Sequence, residues 1–190
     1  MKKLILSLVF SCLAHVMIAQ HMMFEGIEIK GFLSDFVMNL EEKGFRFDGQ
    51  RYYMASMRGD FAGYKNCFVF INSTLWTDST YTIGVALPER RAWSDLLSDY
   101  DKLKTLFTAK YDRPILVVER FHDDYKPYDW WKFQCVISEK CTWLSVFDTD
   151  RGRVKLLITK CGDDIAEVWV EFLDKLNTDA ETYESFLQDI

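Results

Sequence analysis

Between residues 91 and 111 an apolar side chain returns every three or four positions: Trp93, Leu96, Leu97, Tyr100, Leu103 and Phe107. That period places all six along one stripe of an α-helix. Pro88 stands before the stretch and Pro114 after it, so the helix has marked limits. The segments on both sides follow another rule, alternating every second residue and rich in β-branched and aromatic side chains. A long helix with one greasy stripe, set between two groups of strands, has to lay that stripe on a sheet, which predicts an α+β fold.

The same reading places the other elements. Residues 24–29 alternate as one short strand, and Gly31 breaks it. Leu33, Phe36, Val37 and Leu40 predict a first helix over 32–43, with Gly44 at the left-handed position that ends helices. Strands are expected at 50–58, 65–72 and 81–87 as an antiparallel meander, and again at 115–121, 142–147, 153–159 and 166–173. Residues 129–138 fit either period; Asp129 as an N-cap, with Trp130, Phe133 and Ile137 roughly on one face, favours a short helix. Thr178 and Glu181 form a capping box for a closing helix over 178–190, whose apolar face is Tyr183, Phe186, Leu187 and Ile190. Ser34-Asp35-Phe36 and Ser94-Asp95-Leu96 sit in matching helices. The expectation is two tandem helix-plus-meander halves, 24–87 and 88–176, that form one sheet with the helices on one face.

Residues 1–19 have the order of a cleavable leader: Lys2 and Lys3, an apolar run from Leu4, and the small Ala19 before Gln20. The run is shorter than a bilayer span and holds His15. Export to the periplasm or beyond is therefore expected, with lipidation at Cys12 as a minor alternative, and 20–190 as a single domain. The leader holds two of the 23 Lys and Arg and none of the 29 acids, so the mature charge falls from −6 to −8. An acidic chain without a basic cluster repels phosphate backbones, which disfavours nucleic acid as a partner. Cys67, Cys135, Cys141 and Cys161 survive cleavage. None of their spacings is a zinc or redox motif; outside the cytoplasm they could pair, Cys135 with Cys141 being the first pair to test.

Several turns carry a resemblance. Phe24 to Gly31, the helix end Lys43-Gly44-Phe45, the turn Gly59-Asp60-Phe61-Ala62-Gly63-Tyr64 and Lys110-Tyr111-Asp112-Arg113-Pro114 resemble uncharacterised secreted proteins of gut Bacteroidetes. The expected architecture also resembles β-lactamase inhibitory protein and the small lipoproteins of outer-membrane assembly. At fold level that similarity implies a binding surface and names no partner.

Chemistry is sparse. A serine triad needs a histidine beside its nucleophile, and the mature chain has His21 and His122 alone. No nucleophile elbow, phosphate loop, dinucleotide fingerprint or zinc helix occurs, and no cofactor is implied. His122, Asp123 and Asp124, with Asp129, could hold a divalent cation, which makes a metal-dependent hydrolase the rival from another class. Asp148 to Gly152 suits a hairpin turn better than a calcium loop. Trp130 and Trp131 are adjacent and cannot both face one way, and Trp76 lies in a polar loop. Such rings anchor protein partners or stack on sugars. The expected function is a non-catalytic exported module that binds a protein or peptide through its sheet face or through Trp76, Trp130 and Trp131, with carbohydrate binding as a further alternative.

Overall fold

The structure, a computed structural model, describes residues 20–122, 127–179 and 182. A small hairpin, β1 (Met23–Phe24) and β2 (Ile27–Glu28), comes first, where one strand was expected. Its turn residues Glu25 and Gly26 both have positive φ, and this reverses the chain within what alternation had suggested was a single strand. Helix α1 (Leu33–Glu42) follows and buries Leu33, Phe36, Val37 and Leu40. Gly44, at φ +93°, ends it: the Phe45 N–H reaches back to the Leu40 carbonyl and the Gly44 N–H to that of Glu41.

The first meander has four strands, not three: β3 (Arg46–Arg51), β4 (Met54–Phe61), β5 (Tyr64–Ser73) and β6 (Thr80–Ala86). The expected strand at 50–58 straddled the β3–β4 hairpin, because Tyr52 turns the chain at φ +54° without the usual Gly or Asn. Helix α2 (Trp93–Tyr111) leads to β7 (Leu116–Phe121). A 3-10 turn (Asp129–Trp131) runs into helix α3 (Lys132–Ile137). The helical reading of this segment therefore holds, although the N-cap position belongs to Tyr128, without a side-chain bond, and not to Asp129. The strands β8 (Cys141–Asp148), β9 (Gly152–Lys160) and β10 (Ala166–Asp174) complete an eight-stranded sheet in the order β3-β4-β5-β6-β10-β9-β8-β7, every pair antiparallel.

The helices α1 and α2 cover one face of this sheet, α1 over the β3–β5 side and α2 over β8–β10. One continuous core joins them: Met57, Val69 and Ile71 under α1, Val154, Leu156 and Val170 under α2, with Ile83 and Val85 between. Leu96, Tyr100, Leu103 and Phe107 of α2 are fully enclosed, and each such side chain contributes about 1.5–3 kcal/mol. Leu33-Ser34-Asp35-Phe36 and Trp93-Ser94-Asp95-Leu96 open α1 and α2 at equivalent positions. No helix among the described residues is long and apolar enough to cross a membrane.

Buried polar groups fasten the layers. Asp99 of α2 accepts the Tyr64 hydroxyl at 2.9 Å and the Arg90 Nε–H at 2.8 Å. The Tyr100 hydroxyl lies 2.7 Å from Ser145 Oγ and donates to Glu119, which also pairs with Lys104. Burial holds both tyrosine hydroxyls well above their ordinary pKa. At the end of β10 the enclosed Asp174 carboxylate accepts the Met22 N–H at 2.6 Å and the Asn177 N–H at 2.9 Å, and lies 3.0 Å from His21 Nδ1. Asn177 Nδ2 in turn donates to the Ile29 and Thr80 carbonyls. The expected capping box takes a different form. Thr178 Oγ1 donates to the Asp174 carbonyl, and Asp179 accepts both the N–H and the hydroxyl of Thr182. An aspartate outranks threonine as an N-cap, so the cap shifts by one residue. Glu181 and the rest of the expected closing helix lie outside the described residues.

Candidate binding groove around Trp76

The β5–β6 loop is a knot of short hydrogen bonds. Ser73 Oγ donates to Asp78 at 2.6 Å, Thr74 Oγ1 lies 2.5 Å from Thr77 Oγ1, and the Thr74 N–H donates to the Ser79 carbonyl. Those bonds use up the loop's polar side chains and leave Leu75 and Trp76 pointing outward; Trp76 is 95% exposed. Next to it, the β3–β4 turn presents Tyr52 and Tyr53, and the Ser73 N–H fixes that turn by donating to the Tyr53 carbonyl at 2.8 Å. The two loops and the segment after β10 enclose a groove of about 660 Å³. Arg51, Tyr52, Tyr53, Leu75 and Trp76 form its apolar wall, while Asn72, Asn177 and Thr178 lie at its polar margin. Among its described lining residues, Arg51 and Asp179 alone are charged at neutral pH.

Trp130 and Trp131 fall elsewhere. Trp76 stands at the end of the sheet where β10 finishes, whereas the turn holding Trp130 and Trp131 precedes β8, at the end where β10 begins. The three tryptophans therefore line no common concavity. Trp130 instead has its ring plane within 4° of that of Tyr128, with centroids 6.3 Å apart, and meets Trp131 edge-on at 5.4 Å. All three rings of this cluster are exposed.

The residues read as possible metal ligands are each engaged or out of view. His122 Nε2 lies 2.8 Å from Thr142 Oγ1, Asp129 pairs with Lys132 at 2.6 Å, and Asp123 and Asp124 lie outside the described residues. No cluster of three or more His, Cys, Asp or Glu suited to a metal occurs among the described residues. Cys135 and Cys141 carry free thiols in the structure. Burial pushes the Cys141 thiol up to about 12, and neighbouring Cys135 adds to the effect.

Sequence reasoning missed a second surface. On the sheet face away from α1 and α2, the Arg58 guanidinium lies 4.5 Å from the Phe68 ring centre, Phe68 meets Phe70 at 4.5 Å, and Phe70 meets Trp169 at 5.4 Å. The row crosses four strands because Gly84 of β6 leaves a gap that the Trp169 indole fills. The row depends on β6 pairing with β10, which no local pattern encodes. For the groove there was a signal: two adjacent tyrosines in a two-residue hairpin loop are aromatic side chains with nowhere to bury.

No protein-family model matches the chain, and no curated protein or solved structure is significantly similar to it.

Proposed function

We propose that this chain is an exported, non-catalytic module that binds a protein or peptide partner in the groove around Trp76. One observation carries the reading: Trp76, Tyr52, Tyr53 and Arg51 converge on one concavity, and Trp, Tyr and Arg are the residue types that dominate binding hot spots. Internal hydrogen bonds already hold the loops in place, so little ordering entropy opposes binding. The groove's polar side chains are spent largely on the fold itself, which suits an anchoring surface better than a reacting centre. Export is supported by the leader-like order of residues 1–19. The matched first turns of α1 and α2 and the mirrored strand order support descent from two helix-plus-meander halves, 24–87 and 88–176, with the groove a feature of the first half.

Selection of a random peptide display library against the purified chain tests the binding claim. Enriched peptides should lose at least tenfold in affinity against Trp76→Ala and Tyr52→Ala. Equal binding to wild type and both variants would refute the groove as the site. Amino-terminal sequencing of protein recovered from the producing cell tests export, which an intact Met1 on the mature pool would rule out.

A further inference from the structure

The two edges of the sheet are built differently. At β3 the edge is broken by a register shift between Phe47 and Gly49 and studded with Arg46, Asp48 and Arg51, the devices that keep a strand from pairing with a stranger. At the opposite edge β7 pairs with β8 without any shift from Leu116 to Phe121. The His122 N–H donates to the Lys140 carbonyl in that same register, so the even-numbered residues 116, 118, 120 and 122 aim their main-chain groups at β8. Val117, Glu119 and Phe121 consequently turn theirs outward, and no described residue takes them. Ile115 and Val117 lie exposed along this edge. Glu119, its one acid, is already held by Lys104 and Tyr100.

We infer that β7 pairs antiparallel with β7 of a second copy of this chain, about a two-fold axis through Val118, to make one continuous sheet across a dimer. Charge selects that register. Centring on Glu119 would set glutamate against glutamate and centring on Arg120 arginine against arginine, and like charges directly opposite each other are destabilising. Centring on Val118 sets Val117 opposite Glu119, Leu116 opposite Arg120 and Ile115 opposite Phe121. The outward groups of Val117 and Glu119 then exchange four main-chain hydrogen bonds across the axis. A symmetric pairing of one patch with itself closes after two copies.

The wild-type chain should sediment as a dimer at micromolar concentration, and Val117→Pro should sediment as a monomer with an unchanged far-ultraviolet circular dichroism spectrum. Proline at 117 removes an N–H that points away from β8, so the chain's own ladder keeps every bond. Val118→Cys supplies an independent readout. The register sets the two Val118 Cα atoms about 4.5 Å apart, within the disulfide range. Copper-phenanthroline oxidation should link two chains through peptides that contain position 118. A monomeric wild type, a dimer that survives Val117→Pro, or no crosslink through position 118 would each overturn the inference.

Discussion

Replacing Gly84 with alanine is the sharpest probe of how the sheet is packed. Gly84 sits in β6 opposite Phe70 on β5 and Glu171 on β10, at a φ that any residue can adopt, so the substitution changes space and little else. A Cβ there would lie 2.3 Å from Cζ2 and 2.8 Å from Cη2 of Trp169. Carbon atoms prefer about 3.5 Å or more, so the indole must lift by roughly 1.2 Å. Forced displacement of this kind costs about 1–3 kcal/mol, and loosening the Phe70–Trp169 contact adds about 0.5–1.5 kcal/mol. Against this, alanine stiffens the unfolded chain by about 0.4–1 kcal/mol. The net expectation is a loss of about 2 kcal/mol. With a urea slope of about 2 kcal/mol per molar, the midpoint should fall by about 1 M. Equilibrium urea unfolding followed by circular dichroism gives the shift, and Trp169→Leu in the Gly84→Ala background should recover most of it. A Gly84→Ala protein as stable as wild type, or strict additivity in the double variant, would refute the close approach.

Three further outcomes follow from other parts of the molecule. Asp174→Ala strands the Met22 and Asn177 amides in the interior, and at about 1–3 kcal/mol for each unpaired group it should cost about 3–5 kcal/mol in urea unfolding, with Asp174→Asn losing less. Cys161 is exposed, yet desolvation and the adjacent Glu167 carboxylate push its thiol up to about 12, so iodoacetamide should label it far more slowly at pH 8 than a free cysteine, and Glu167→Gln should speed the labelling. Because the Trp76 side chain is almost wholly exposed, Trp76→Ala should leave thermal stability within about 0.5 kcal/mol of wild type, so any loss of peptide binding will report the groove and not the fold.

The strands that sit inside the sheet were readable because burial imposes a period. Residues 65–72, 153–159 and 166–173 alternate between core and solvent and differ from β5, β9 and β10 by one or two residues at each end. The stripe of α2 was readable for the same reason. Strand β3 was not: all six of its residues, Arg46 to Arg51, are at least partly exposed, so no alternation marks it, and its hairpin turns on Tyr52, a residue that turn rules do not flag. Trp76 drew notice as a large ring in a polar loop, but its partners in the groove lie more than twenty residues upstream and meet it through sheet register. The Phe68–Phe70–Trp169 row was hidden more deeply still, since it links residues about a hundred positions apart.

The seam between β6 and β10 has a consequence for how the polypeptide comes into being. Thr82 to Ala86 wait for Trp169 to Leu173, so a ribosome has made the helices and seven other strands before the partner of β6 exists. Until then the growing chain carries an inner strand of Ile83 and Val85 with one side of its main chain unmatched, an open template for any neighbouring nascent strand. Stop codons upstream of position 166 should therefore yield insoluble product and not a smaller folded protein, and a holding chaperone has most to do in the interval before the last strand emerges.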